Sequence, residues 1–180
     1  EQESIRMSTL VEDLLLLARL DQSRELESEP VDVKTLIEEC VASARAAGPD
    51  HPITLTLPHD DLFILGDSNR IHQVVSNLLA NARTHTPTGT KINITATQDE
   101  KGTSIEVSDQ GPGLSAEDQA RIFERFYRAD PSRVRNGGEG SGLGLSIVDA
   151  VMKAHGGSVT VTSEPGKGAT FTLFFPMKDN

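Results

Sequence analysis

The sequence lacks several features that mark other classes of protein. It contains no tryptophan, one tyrosine and one cysteine, Cys40, which excludes an internal disulfide and fits a reducing compartment. No stretch approaches the roughly 20 apolar residues that a membrane-spanning helix requires. We therefore expect the chain as given to be soluble and cytoplasmic.

Basic residues are also scarce. The chain has 17 lysines and arginines against 27 acidic residues, for a formal net charge of −10. Such a surface repels a phosphate backbone and offers no basic stripe for groove binding. Nucleic acid is therefore not expected as a partner.

Length and composition fit one ordinary globular domain with a helical appendage, with 180 residues, of which 36% are hydrophobic. Apolar residues recur at helical spacing over residues 7–18, and residues 14–17 are apolar around a whole turn. This pattern favours a helix buried from more than one side, as in a bundle. A terminal helix packed on its own domain is the alternative that stays open. Residues 21–30, which are charged and end in Pro30, predict a linker.

The rest of the chain predicts a mixture of helices and strands. Predicted helices cover residues 33–47, 68–85 and 143–155, and predicted strands cover 53–57, 62–65, 91–98, 103–108, 158–162 and 169–175. Cys40 lies on the apolar stripe of the first of these helices, so we assign it to the core. Strands clustered around helices in this order favour an α+β two-layer sandwich over a doubly wound sheet.

The long helix at residues 68–85 combines an apolar face with a polar stripe. Asn77 and Asn81 stand one turn apart on that stripe. Asparagine is a poor helix former, and two amides aimed at one point suit a magnesium ion, which accepts neutral oxygen ligands. A solvated polar face explains the same residues, and the spacing alone does not decide between the two.

Two glycine-containing stretches follow. Asp109 at a strand end begins Asp109-Gln110-Gly111-Pro112-Gly113, where a carboxylate can accept a hydrogen bond from an exocyclic amine such as that of adenine. An ordinary Asp-Gly turn is the competing interpretation. The stretch 137–145 opens a helix, where backbone amides and the helix dipole favour phosphate, although a flexible surface loop remains possible. It matches neither a Rossmann fingerprint nor a P-loop.

Residues before the second glycine-rich stretch supply charge and packing. Three arginines are candidates for neutralising a triphosphate: Arg128, Arg133 and Arg135. Phe123 and Phe126 are predicted to pack the base of the loop.

Taken together, these blocks resemble the conserved boxes of the sensor histidine kinases, members of the wider GHKL group of ATPases. The resemblance covers nearly all of residues 28–176. The matching segments are 77–82 for the N box, 109–113 for G1, 122–127 for F, 140–145 for G2 and 166–171 for the last box. Several weak motifs in one order make a specific pattern.

The resemblance implies a Bergerat-type ATP-binding fold, with a mixed sheet covered on one face by helices and preceded by a bundle-type helix. By the same resemblance, residues 1–22 are the C-terminal part of a dimerisation and phosphoacceptor hairpin, residues 23–30 a linker, and residues 31–180 the ATP-binding catalytic domain. The implied cofactors are ATP and Mg²⁺.

Site residues follow from the resemblance position by position. Asn81 matches the magnesium ligand and Asn77 its catalytic partner, while Asp109 matches the carboxylate that reads adenine. Thr170 matches the threonine that neighbours the adenine. The remaining matches belong to the G1 turn and the phosphate lid: Gly111, Gly113, Gly140, Ser141, Gly142, Leu143 and Gly144.

Two positions depart from the family pattern. Thr84 and His85 stand where the family commonly has a lysine or arginine followed by a tyrosine. Arg83 or His85 is the expected substitute in contacting the nucleotide.

The implied function is transfer of the γ-phosphoryl group of ATP to a histidine on the helix of the same kinase, and then to an aspartate of a response regulator receiver domain. The full-length protein is expected to be a homodimer anchored in the cell membrane. The expected acceptor motif, similar to His-Glu-Leu-Arg-Thr-Pro, surrounds none of the histidines of this chain, so we expect the acceptor outside it. Alternatives are another GHKL-type ATPase, an anti-sigma serine kinase, or a nucleotide-binding module without activity.

Overall fold

The structure, a computed structural model, describes residues 2–21, 26–129 and 141–177. Its helices are α1 (Gln2–Asp21), α2 (Val33–Ala47), α3 (Ser68–Thr84), α4 (Ala116–Arg121) and α5 (Gly144–Ala154). Its strands are β1 (Glu29–Asp32), β2 (Ile53–Thr56), β3 (Phe63–Gly66), β4 (Ile92–Gln98), β5 (Gly102–Asp109), β6 (Ser158–Ser163) and β7 (Ala169–Pro176). Helices α2, α3 and α5 and strands β2 to β7 were each predicted to within about two residues. Helix α1 extends beyond its predicted apolar pattern at both ends, and α4 and β1 were not predicted.

Two aspartates start the principal helices. Asp32 caps α2 by accepting hydrogen bonds from the backbone N–H groups of Lys34 at 3.0 Å and Thr35 at 3.3 Å. Asp67 caps α3 by accepting the N–H of Arg70 at 3.1 Å. Each carboxylate thereby satisfies amides that the helix itself leaves unpaired, which is why both helices begin where they do.

Five of the described strands form one mixed sheet in the order β2-β4-β5-β7-β6. The β2–β4 pair is parallel and the others are antiparallel. In the central pair, Asp109 at the end of β5 stands opposite Ala169 at the start of β7. This register brings the two predicted turns, after β5 and before β7, to the same edge of the sheet.

The helices α2, α3 and α5 cover one face of this sheet. Along β7, buried residues alternate with half-buried ones, so every second side chain points to the helical layer. Cys40 is buried in that layer, as predicted, with its Sγ 3.6 Å from Ser76 Oγ. The predicted α+β sandwich with helices on one face is confirmed.

The predicted linker is shorter than expected at its C-terminal end. Glu29 and Pro30 belong to β1, which pairs antiparallel with β3 in a separate two-stranded sheet. Proline is tolerated there because this small sheet leaves both of its strands as edge strands.

Helix α1 packs on α5 through the second half of its length. Leu16 and Leu17 are buried, whereas Met7, Val11 and Leu15 are largely exposed. Both earlier interpretations of this helix therefore retain support, one from its packed end and one from its exposed apolar side chains. No helix within the described ranges is long and apolar enough to span a membrane.

Candidate nucleotide-binding site

The Asp109 carboxylate lies at the end of β5, at the edge of the helical layer. Its Oδ1 accepts a hydrogen bond from the backbone N–H of Gly111 at 2.8 Å. Partial burial raises the pKa of Asp109 above its ordinary value, opposed by hydrogen bonds from the N–H groups of Gly111 and Ala169 and by the charge of His85. A carboxylate removed from water but still partly accessible is suited to bind a polar group on a flat ligand.

The turn after β5 packs back to back against the turn before β7. Gly168 has φ of +83°, and a Cβ on it would lie 1.9 Å from the Asp109 carbonyl oxygen. Ser163 joins the two turns, because its Oγ accepts the N–H of Leu114 at 2.8 Å and donates to the Gly168 carbonyl at 2.6 Å. The approach of the two backbones is possible only because residue 168 has no side chain.

The C-terminal end of α3 reaches the same turn. A Cβ on Gly111 would lie 2.5 Å from the methyl carbon of Thr86, so the threonine packs directly on the glycine. Thr86 is held by its Oγ1, which donates to the Ala82 carbonyl at 2.7 Å. No sequence pattern pointed to Thr86 beyond its place after the helix. The neighbouring His85 is exposed, and its charge acts on Asp109.

Arg83 turns away from this turn. Its guanidinium donates to the Ala47 carbonyl at 3.1 Å and packs against Gly48, at the C-terminal end of α2. The unpaired carbonyls at this helix end attract a cation, which explains why the Arg83 guanidinium lies there. Of the two substitutes considered from the sequence, His85 therefore lies beside the turn and Arg83 does not.

Asn77 and Asn81 share a half-buried face of α3, as the spacing predicted. The Nδ2 of Asn77 donates to the carbonyl of Gly144, the first residue of α5, at 3.3 Å. Since the amide nitrogen is engaged, the Oδ1 of Asn77 is left as an acceptor or ligand.

The start of α5 adjoins that asparagine. Leu143 at the N-cap has no side-chain acceptor, so the first amides of the helix receive no hydrogen bond from the N-cap side chain. Ser141 Oγ accepts the N–H of Leu143, at 3.3 Å. Amides of this kind, with the positive end of the helix dipole, suit an anion.

A backbone hydrogen bond connects Phe126 to the residues just before α5. The N–H of Phe126 donates to the Gly142 carbonyl at 2.9 Å. Phe123 packs on the core, with its ring edge-on to Phe171 at 6.3 Å. The side chain of Phe126 is 58% exposed, on a backbone with a positive φ of 63°.

Some predicted site residues are not brought together here. Arg128 is exposed at the end of the described segment. Thr170 pairs with Ser108 and Thr162 and alternates with buried neighbours, so it lies on the sheet face opposite Asp109. Ala169 is the residue of β7 that faces the Asp109 side. Arg133, Arg135 and Gly140 lie outside the described residues.

The donor set also fits magnesium. Among the described residues, no group of three or more histidines, cysteines or carboxylates is placed to hold a metal ion. Magnesium, however, is commonly bound by one or two protein oxygens together with substrate phosphates. The Asn77 Oδ1 left by its hydrogen bond, with Asn81 one turn away, supplies oxygens of that kind.

Comparison with known proteins agrees with this geometry. Residues 66–179 match the family model described as "Histidine kinase-, DNA gyrase B-, and HSP90-like ATPase". The chain is 51% identical over 164 residues to the probable sensor histidine kinase TcrY of Mycobacterium tuberculosis, covering 91% of this chain and 34% of the relative.

Solved structures give the same result. The mycobacterial sensor histidine kinase MprB is 30% identical with a TM-score of 0.72, covering 83% of this chain and 97% of that one. Full-length ShkA, solved in complex with AMPPNP, is 32% identical with a TM-score of 0.79, covering 98% of this chain and 38% of that one.

The two-layer fold and the turn-and-helix site therefore define the class: the chain belongs to the histidine kinase-, DNA gyrase B- and HSP90-like ATPase family. Within that family it is an ATP-binding catalytic domain of the sensor histidine kinase type, as the motifs predicted. It spans about a third of the length of the curated relatives it matches, 34% and 35% for the first two.

Proposed function

We propose that this domain binds Mg²⁺-ATP and transfers the γ-phosphoryl group to a histidine on a dimerisation helix of the same kinase. From there the group passes to an aspartate of a response regulator receiver domain. The observation that carries the proposal is the convergence of three parts: the Asp109 turn, the asparagine face of α3 and the start of α5, whose first amides lack a cap. These parts are joined by the contacts of Thr86 with Gly111 and of Asn77 with Gly144.

Each part has its own role in the proposal. Asp109 accepts a hydrogen bond from the exocyclic amine of adenine, beside Gly111, Gly113 and His85. Asn77 and Asn81 hold Mg²⁺, which neutralises phosphate charge when bound. The phosphates lie at the start of α5, against the amides of Ser141, Gly142, Leu143 and Gly144. The family resemblance adds Gly140 and Arg128 to the groups that would contact them. Phosphoryl transfer depends mainly on such positioning and charge stabilisation.

Transfer to an imidazole is favoured over hydrolysis by water. Asn77 carries no basic group to take a proton from water, whereas a neutral imidazole, with a reference pKa of about 6.5, already offers a lone pair at neutral pH. In the full-length protein, residues 1–22 would end the dimerisation hairpin, 23–30 form a linker and 31–180 the catalytic domain. That protein would be a homodimer anchored in the cell membrane, with this domain in the cytoplasm.

Calorimetry with ATP tests the binding step directly. We expect the wild-type chain to bind ATP in the presence of Mg²⁺ and less tightly in its absence. Asn81→Ala should weaken Mg²⁺-ATP binding by about tenfold or more, or about 1.4 kcal/mol. Gln73→Ala is the matched control, because Gln73 lies on the same helix and contacts Arg70 instead. Affinity that is indifferent to Mg²⁺ and to Asn81→Ala would contradict the proposal.

A further inference from the structure

His155 is a buried histidine outside the proposed site. It directly follows α5 and is 6% exposed. Its Nε2 accepts the backbone N–H of Asp67 at 3.0 Å, across 88 residues of sequence. Its Nδ1 lies 2.8 Å from the Val151 carbonyl oxygen. One imidazole thus connects the end of α5 to the residue that caps α3.

These partners assign the proton of the ring. Nε2 must carry a lone pair to accept an N–H, so the proton of the neutral ring lies on Nδ1 and is donated to Val151. The ring is also held sideways: Phe175 meets it edge-on at 6.1 Å, and a Cβ on Gly66 would lie 2.8 Å from its Cδ2. The imidazole is therefore fixed in both orientation and position.

The link at His155 has a counterpart at the other end of the same two helices. Asp67, before α3, contacts His155, after α5, whereas Asn77 further along α3 contacts Gly144 at the start of α5. Helices α3 and α5 thus run antiparallel, with one polar link at each end of their contact.

The buried side chains of the two helices are almost all apolar: Ile71, Val74, Val75, Leu78, Leu79, Ala82, Ile147, Val148, Val151 and Met152. The buried Ser146 donates one turn back along its own helix, to the Leu143 carbonyl. Apolar contacts are non-directional and tolerate small sliding movements, whereas a hydrogen bond specifies donor and acceptor positions. The two polar links therefore add defined axial contacts between α3 and α5 to this packing.

We propose that His155 is a positioning residue for the nucleotide site. By holding the Asp67 N–H, it sets the position of α3 along α5, and so the position of Asn77 and Asn81 relative to the first amides of α5. The inference rests on the proposed function, in which those two sets of groups bind metal and phosphate. Asp109 belongs to β5 and meets this helix pair through the residues that follow α3, so recognition of the base should depend on His155 much less than phosphate and metal binding do.

Two substitutions that differ by one methylene test the role. In His155→Gln the side-chain amide reaches the position of Nε2 and can still accept the Asp67 N–H, whereas in His155→Asn it reaches only the position of Nδ1. Calorimetry would measure Mg²⁺-ATP and adenosine with each chain, at a temperature where all are folded. We expect His155→Gln to stay within threefold of wild type for both ligands. His155→Asn should lose tenfold or more for Mg²⁺-ATP and keep its adenosine affinity.

A control separates positioning from general destabilisation. Leu55→Ala removes core contacts on β2, at the sheet edge farthest from the β6 and β7 strands that α5 contacts. It should lower the unfolding temperature without the selective loss for Mg²⁺-ATP. If His155→Asn does not fold, Gly66→Ala, whose new methyl would displace the imidazole, takes its place with the same expected selectivity.

The outcomes are distinguishable. Equal Mg²⁺-ATP affinity of the Gln and Asn variants, or parallel losses for both ligands, would overturn the role of His155 while leaving the proposed function standing. Failure of the wild-type chain to bind Mg²⁺-ATP would overturn the proposed function and this inference with it.

Discussion

Several local interactions act on the ionisation of the Asp109 carboxylate. Burial opposes its charge, while the N–H of Gly111 and the charge of His85 favour it. The side chain is therefore poised to gain from a further donor, such as the exocyclic amine of adenine, because that hydrogen bond stabilises a charge that the protein has partly desolvated.

Asp109→Asn should weaken ATP binding by roughly ten- to a hundredfold, since a hydrogen bond to a charged group contributes about 1.5–3 kcal/mol. Calorimetry gives the affinity, and circular dichroism verifies that the fold is retained. Ser108→Ala is the matched control, because Ser108 precedes Asp109 on the opposite face of the sheet and should leave affinity unchanged. Unaltered affinity in Asp109→Asn would exclude the adenine role.

Adenosine affinity should depend on pH through the same carboxylate. Because burial raises the pKa of Asp109, the charged form that accepts the amine is lost as pH falls through a value above the ordinary range of an aspartate. Affinity should be full above that raised pKa and decline below it. Adenosine is the ligand of choice because it has no phosphate to titrate.

Two variants show whether Asp109 or His85 causes the pH dependence of adenosine affinity. His85→Gln removes the neighbouring imidazole and should leave a decline at acidic pH, whereas Asp109→Asn should give a flat profile. For folding the sign is opposite: a raised carboxyl pKa means that the contribution of Asp109 to stability decreases as pH rises through the window between its unfolded and folded pKa values. A wild-type adenosine profile that is flat down to the ordinary aspartate range would contradict the assignment.

At the scale of elements, the two turns at the end of the sheet act as one unit. Gly168→Ala should destabilise the fold and weaken ATP binding, because its Cβ would lie 1.9 Å from the Asp109 carbonyl oxygen. Gly166→Ala is closely matched, since Gly166 has the same φ of +83° but no atom within 4 Å of its would-be Cβ. Thermal unfolding and calorimetry should show that only the first change weakens ATP binding, while both share the strain of a left-handed alanine.

Equal losses of ATP affinity in the two alanine variants would mean that backbone strain, and not the contact between the turns, causes the loss. The proposed coupling of the Gly168 turn to Asp109 would then be wrong.

The start of α5 should respond to nucleotide. Its first amides lack a capping side chain, so bound phosphates would protect them from solvent. Hydrogen exchange at residues 142–146 should slow on addition of Mg²⁺-ATP, while exchange in the central strand β5 stays constant. Equal exchange at residues 142–146 with and without Mg²⁺-ATP would count against phosphate binding there.

At the scale of the whole molecule, the sequence predicted most of the fold for local reasons. Helix α2 has the predicted bounds, because a capping aspartate precedes it and Gly48 follows it. Alternation with Ala169 and Phe171 places Thr170 on the sheet face opposite Asp109. The motif resemblance, in contrast, predicted that Thr170 neighbours the adenine.

The long-range contacts of the site were beyond local reasoning. Asn77 and Gly144 are 67 residues apart, and His155 and Asp67 are 88 apart. The place of Arg83 was open for the same reason, since its partner Ala47 lies 36 residues away on another helix. Periodicity and propensity describe one element at a time, whereas these contacts depend on how two elements pack.

The central claim is that this domain phosphorylates a histidine on another segment, and phosphoryl transfer tests it most directly. The chain would be mixed with radiolabelled ATP, Mg²⁺ and a helical hairpin carrying a histidine in the His-Glu-Leu-Arg-Thr-Pro context. Label should appear on the hairpin as an acid-labile adduct, and Asn81→Ala should abolish it by removing a magnesium ligand. Efficient labelling of any of the five histidines of this chain, or undiminished transfer by Asn81→Ala, would contradict the account.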